Sequence, residues 1–159
     1  MIIESIELKN YRNYHTLQMK FDSGTNILYG DNAQGKTNIL ESIYLSSTTK
    51  SHKGSKDKDI IKFNEDESHI RTIVNKKGVQ YKIDIHLKKN KTKGIAINGI
   101  PIKRASEIFG IMNIVFFSPE DLNIIKNGPS ERRRFIDSEL CQLDKLYLHD
   151  LSKYNKIIN

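Results

Sequence analysis

The sequence contains no tryptophan, three prolines and a single cysteine in 159 residues. The lone cysteine, Cys141, excludes an internal disulfide and fits a reducing, cytoplasmic setting. No motif surrounds it, so a buried structural thiol is the expectation. No apolar run approaches the roughly 18 residues that a membrane span requires, and no membrane association is expected. The N-terminus, MIIESIELKNYRNY, carries acids and lacks a small-residue cleavage site, unlike a signal peptide. His15, His52, His69, His86 and His149 are scattered, with no metal-ligand spacing to a carboxylate or to the cysteine. Internal repeats and low-complexity tracts are also missing.

What is present is a globular composition, 37% hydrophobic and 28% charged, long enough for one domain with a real core. The formal charge of +7 is unevenly placed. Between Lys76 and Lys93 lie seven lysines and one acid, Asp84. Such a run is either a solvated surface or a contact for a polyanion. Lys76, Lys77, Lys88, Lys89, Lys91 and Lys93 are the candidates for contacts to a polyanion such as DNA. Arg132, Arg133 and Arg134 form a second basic group, which either touches DNA or pairs with Asp137 one helical turn on.

Hydrophobic periodicity predicts strands over Ile2–Lys9 and Thr16–Phe21, then a short apolar strand over Asn26–Tyr29. A helix is predicted from Lys36, with Ile39, Leu40, Ile43 and Tyr44 at helical spacing. SSTTKSHKGSKDKD, residues 46 to 59, has almost no apolar content and reads as an exposed polar loop. Ile70–Val74 and Val79–Leu87 form a hairpin across KKG, and Asn98-Gly99 suits a two-residue hairpin turn. Arg104–Phe109 reads as a short helix, and Asn113–Phe117 as a strand buried on both faces. Ser118 before Pro119, Glu120 and Asp121 has the form of an N-cap, a first-turn proline and two dipole-matched acids. Gly128 and Pro129 open another helix. Asp144 caps a second one, with Tyr147, Leu151, Tyr154 and Ile158 along its stripe.

The most specific local signal is GDNAQGKT, Gly30 to Thr37, which matches G-x-x-x-x-G-K-[ST] in full. The residues are Gly30, Asp31, Asn32, Ala33, Gln34, Gly35, Lys36 and Thr37. The glycines let the loop wrap so that backbone N–H groups face phosphates. Lys36 supplies charge to the β and γ phosphates, and the Thr37 hydroxyl can ligate Mg²⁺ of an ATP complex. The following helix aims its positive end at the anion. Past this helix come antiparallel hairpins rather than βα crossovers. That favours an ATPase head carrying an antiparallel layer over a small-molecule P-loop kinase, which remains the alternative.

ELKNYRNY, GDNAQGKTNILESIYL, the hairpin insertion, VFFSPEDLNIIKNGPSERRRFID and YLHDLSKYNKII together resemble the N-terminal part of the RecF family. The SPEDL…GPSERRRFID block is the most specific of these, and the resemblance covers essentially the whole chain. The family is similar in its head to SMC-type and other ABC-type chromosome ATPases. The resemblance implies an α/β fold: an ABC-type P-loop ATPase lobe with an antiparallel β-hairpin layer over residues 1–117. The linker and first helices of a helical lobe would occupy residues 118–159. It implies an ATP-dependent homodimer that binds DNA at gaps or single-strand/double-strand junctions. It further implies work with RecO and RecR in loading RecA, within DNA repair, replication and the SOS response.

On this pattern Asn10 to Tyr14 lies near the nucleotide, with Arg12 as its contact. The bare reading of the same segment is a turn with Arg12 and the tyrosines on the surface. Relatives of ABC type often place a metal-sensing glutamine where this chain has Phe116, Phe117 and Ser118. Where the family often carries an arginine after the P-loop helix, this chain reads Lys50, Ser51, His52, Lys53, and lysine is a point charge rather than a planar fork. An apolar strand ending in Asp-Glu and a Leu-Ser-Gly-Gly-like signature, both needed for hydrolysis, are not found in the sequence. The expectation is a weak ATPase in the full-length dimer and no hydrolysis by this portion alone. The C-terminal helical stripe is still running at Ile158, which reads as truncation.

Overall fold

The computed structural model describes residues 1–118 and 128–158. The predicted capping segment at Pro119, Glu120 and Asp121 lies outside the described residues. The chain divides into two compact units, Met1–Met112 and Asn113–Asn159.

The first unit is built on one six-stranded sheet. Its strands are β1 (Ile2–Tyr11), β2 (Tyr14–Lys20), β3 (Glu67–Lys76), β4 (Val79–Lys88), β5 (Lys91–Ile97) and β6 (Ile100–Pro101). They run in the order β2-β1-β3-β4-β5-β6, antiparallel throughout. The turns explain the register. Lys77-Gly78 and Asn98-Gly99 both adopt positive φ at the two central positions, which matches the twist of the flanking strands. The period-two pattern then sorts the side chains. Ile6, Leu8, Ile70, Val74, Ile83, Ile85 and Leu87 are buried on one face. The opposite face carries an ionic ladder in which Arg71 pairs with Asp84 at 2.7 Å and Glu7 at 3.6 Å.

Helix α1 (Lys36–Thr48) lies on the apolar face and buries Ile39, Ile43 and Leu45. The chain then passes through a loop into a one-turn helix, α2 (Asp57–Ile60), and later a 3₁₀ turn at Ala105–Ile108. The segment expected to be an exposed polar loop is different. Its first half finishes α1, and Ser46, Ser47, Thr48, Thr49 and Ser51 are buried. Their hydroxyls find partners: Ser46 Oγ lies 2.8 Å from Thr72 Oγ1, and Ser47 Oγ donates to the Met112 carbonyl at 2.7 Å. Polar residues enter a core when each donor and acceptor is matched.

Asn26–Tyr29 forms no strand, and Ile27 and Tyr29 are 77% and 91% exposed. A strand is defined by a neighbour's backbone, and this segment pairs with neither edge of the sheet.

In the second unit, Asn113–Phe117 likewise forms no strand. Val115 and Phe117 are 91% and 79% exposed, against the expected double burial. Helix α3 (Pro129–Leu143) begins with the proline at its first turn, and α4 (Lys145–Ile158) follows directly. Asp144 caps α4 by accepting from the Leu146 amide at 2.7 Å. Asp137 accepts from the Tyr147 hydroxyl at 2.6 Å. The Gln142 side chain holds both backbone groups of Ile114, at 2.8 and 3.1 Å. Cys141 is buried, and burial pushes its thiol pKa up, as suits a structural cysteine.

Candidate functional site, a phosphate loop braced by the first turn

The loop Gly30–Thr37 joins the segment after β2 to the N-terminus of α1. It winds through positive φ at Gly30 (138°), Ala33 (65°) and Gly35 (101°). Among the described residues, no amide of residues 31–37 donates a hydrogen bond. These orphan N–H groups sit at the positive end of a 13-residue helix, the arrangement that binds anions. Lys36 Nζ donates to the carbonyls of Gly30 at 2.7 Å and Asp31 at 2.6 Å, so its charge lies within the loop. Thr37 is exposed in the first helical turn, and its hydroxyl has no partner among the described residues. A hydroxyl beside these amides is the kind of group that could serve as the one protein ligand Mg²⁺ takes from such loops.

The β1–β2 turn braces this loop. Asn13 Nδ2 donates to the Gln34 carbonyl at 3.2 Å, and the Tyr14 hydroxyl donates to the same oxygen at 3.3 Å. Asn38 Nδ2 donates to Asn13 Oδ1 at 2.9 Å. Arg12 does not reach into the loop. Its Nε and Nη2 fork onto Glu41 at 2.8 and 2.6 Å, while Nη1 donates to the Asp59 carbonyl and Nη2 to Ser55 Oγ, each at 2.8 Å. Glu41 is wholly buried and also accepts from Ser51 Oγ at 2.5 Å. Burial pushes the Glu41 carboxyl up, but the bonds from Arg12 and Ser51 outweigh it and hold it below the usual carboxylate range. The same fork raises the Arg12 pKa. Tyr11 is buried beside this pair rather than on the surface, and burial, with Glu41 next, drives its phenol well above the ordinary value. Glu41 was not among the residues singled out from the sequence. Its only signal there was an acid at a position that α1 turns toward the core.

A cavity of about 830 Å³ opens beside the brace, lined among others by Arg12, Asn13, Asn38, Lys53, Lys62 and Phe63. The Phe63 ring is 88% exposed. The wall that carries it is stitched to β1: the Arg12 amide donates to Ile60 O at 2.8 Å and the Lys62 amide to Asn10 O at 2.9 Å. Lys62 Nζ also donates to Asn13 O at 2.9 Å. Within the Ser51–Lys53 loop, Ser51 serves Glu41, His52 packs edge-on against Tyr44 at 5.8 Å, and Lys53 faces the cavity.

The six lysines proposed for DNA do not gather in one patch. Lys76 and Lys77 lie at the β3–β4 turn, and Lys88, Lys89 and Lys91 at the β4–β5 turn. The ten residues of β4 separate the two groups by about 30 Å. Lys88 pairs with Glu67, Lys89 with Asp66 and Lys93 with Asp57, while Lys76 Nζ donates to the Gly110 carbonyl. Lys77 and Lys91 are exposed and unpaired among the described residues.

The family model described as an AAA domain matches residues 5–158. The chain belongs to this family. It is 73% identical over 158 residues to the DNA replication and repair protein RecF of Agathobacter rectalis, covering 99% of this chain and 44% of that protein. It is 71% identical to the RecF of Lachnospira eligens over 159 residues, again 44% of that protein. The chain therefore spans under half the length of the curated relatives it matches. The solved structure of the recombination mediator protein RecF with ATP superimposes with a TM-score of 0.91 at 41% identity, over 97% of this chain and 43% of that one. A structure of an SMC ATPase matches with a TM-score of 0.69 at 25% identity, over 87% of this chain. These likenesses bear out the RecF resemblance read from the sequence. They also bear out the fold class, a mixed α/β ATPase head with an antiparallel layer. No helix among the described residues is long and apolar enough to cross a membrane.

Proposed function

We propose that this chain is the ATP-binding portion of an ATP-dependent DNA-binding protein of recombinational repair and replication. The observation that carries this reading is the phosphate loop with its unpaired amides, set in a fold that superimposes on RecF with ATP. Gly30 to Thr37 hold the triphosphate, Lys36 leaves its two loop carbonyls for the phosphates, and Thr37 offers its hydroxyl to Mg²⁺. The metal, when bound, neutralises phosphate charge; the loop supplies orientation and N–H donors. The adjacent cavity takes the ribose and base. Arg12 borders it with one Nη1 hydrogen beyond its four bonds, so any nucleotide contact is made from a side chain already fixed by Glu41.

The full-length protein works as an ATP-dependent homodimer in the cytoplasm, engages gapped or junction DNA, and acts with RecO and RecR. The lysines at the two ends of β4 are the DNA contacts, with Lys77 and Lys91 free to serve immediately. A small-molecule kinase is not favoured, because α1 leads to an antiparallel sheet and not to parallel crossovers. In the full-length protein, Lys36→Ala is expected to abolish ATP binding and ATP-dependent capture of gapped DNA. Wild-type DNA affinity should fall steeply from low to moderate salt. A flat salt profile removes the lysine assignment, and a phosphorylated small-molecule product would restore the kinase reading.

A further inference from the structure

We infer that Glu41 is a positioning residue for nucleotide binding, acting on the phosphate loop through Arg12 and Asn13 without touching the nucleotide. The inference rests on the reading of Gly30–Thr37 as a nucleotide site. Glu41 stands one helical turn beyond Thr37 in α1, wholly buried. A buried carboxylate is tolerated only when its oxygens are matched. Here three hydrogen bonds, two of them a guanidinium fork, do so.

The other end of the fork is under strain. Arg12 has φ of 51°, in the left-handed region that side chains with a Cβ seldom adopt. Such a conformation persists when its surroundings over-determine it. Glu41, Ser55, the Asp59 carbonyl and the backbone bond to Ile60 together do so. Fixing Arg12 fixes its neighbour, and Asn13 with Tyr14 pins the Gln34 carbonyl. In a trans peptide the C=O and N–H point in opposite directions. Pinning the Gln34 oxygen on the turn therefore aims the Gly35 N–H away from it, leaving that donor free for phosphate. Loss of the Glu41 charge would release Arg12 from its strained turn and let this peptide rotate.

The experiment measures ATP affinity and thermal stability in full-length wild type, Lys36→Ala, Glu41→Gln, Asn13→Ala and the double variant Glu41→Gln/Asn13→Ala. Glu41→Gln and Asn13→Ala should each weaken ATP by about tenfold. The double variant should bind ATP no worse than Asn13→Ala alone, because both act on one peptide. A purely structural Glu41 gives multiplied losses in the double variant, and that result overturns the inference, as does wild-type affinity in Glu41→Gln. If Glu41→Gln fails to fold, Arg12→Lys tests the same link: it keeps the charge opposite Glu41 but loses the fork. It must then show the same loss and the same lack of additivity with Asn13→Ala. Wild type that binds ATP and Lys36→Ala that does not keep the nucleotide reading intact whatever Glu41 does. If wild type itself does not bind, both fall.

Discussion

Gly35 and Asn13 are in such close approach that a Cβ on Gly35 would stand 2.7 Å from Asn13 Nδ2 and 2.8 Å from its Oδ1. The Tyr14 hydroxyl would be equally close, at 2.7 Å. Gly35 also has φ of 101°, so a side chain there is excluded on two counts. Gly35→Ala must either push the brace off the loop or distort the loop. The expected outcome is a stability loss of about 1–3 kcal/mol and at least a tenfold weaker ATP complex. Urea unfolding and nucleotide titration of the same variant measure the two. Gly30 differs, since nothing lies within 4 Å of its virtual Cβ; strain there comes from φ alone, and Gly30→Ala should cost less.

The buried hydroxyls of α1 predict a non-additive pair. Ser46 Oγ donates to the Ser42 carbonyl at 2.9 Å, so Thr72 is the donor in the 2.8 Å contact with Ser46. Ser46→Ala leaves Thr72 without a partner at a fully buried site and should cost about 1–2 kcal/mol. Thr72→Val removes the orphan, so the double variant should be more stable than the sum of the singles implies. Equilibrium unfolding of all four proteins provides the cycle. Strict additivity would mean that the two hydroxyls do not interact.

These two sites show what the sequence could and could not reveal. The loop and the hairpins were legible because their causes are local: Gly35 and Lys36 in a fixed pattern, Asn98-Gly99 in a turn. The Arg12–Glu41 fork joins residues 29 positions apart, and no local pattern marks it. Ser46, Ser47 and Ser51 read as an exposed loop in the sequence because polarity there usually accompanies exposure. Their matched hydroxyls reverse that inference. Asn26–Tyr29 and Asn113–Phe117 have strand-like composition, but whether a strand forms depends on a neighbouring backbone that composition does not contain.

The surroundings of His69 predict a pH response of the sheet's stability. Its pKa is lowered: burial of the ring dominates, Asp84 at 3.3 Å opposes it, and Arg71 and His86 lower it further, with Glu7 a weaker opposing charge. The unfolded chain, with an ordinary value of about 6.5, then takes up the proton first. The stabilisation is complete above that pH and is lost as pH falls through 6.5 toward the folded value. His69→Gln should flatten stability over this window and leave the neutral-pH ATP affinity unchanged, since the ring lies on the sheet face opposite α1. Urea midpoints between pH 7.5 and 5 test this, and an unchanged slope in the variant would remove His69 as the cause.

On the proposed nucleotide reading, Phe63 is expected to recognise the base while the loop recognises phosphate. A phenylalanine that is 88% exposed on the wall of a cavity bordered by Arg12, Asn13 and Lys62 offers a flat apolar face in the cavity that also touches the Asn13 brace of the loop. Stacking of a nucleobase on such a ring contributes on the order of 1–3 kcal/mol. Phe63→Ala should therefore weaken ATP by about tenfold while leaving inorganic tripolyphosphate, which has no base, bound as in wild type. Lys36→Ala should weaken both. Competition of each ligand against a fluorescent nucleotide gives the two affinities in one assay. Equal losses for ATP and tripolyphosphate in Phe63→Ala would mean that the ring supports the wall and not the base. No loss for either would assign the cavity to something other than the nucleoside.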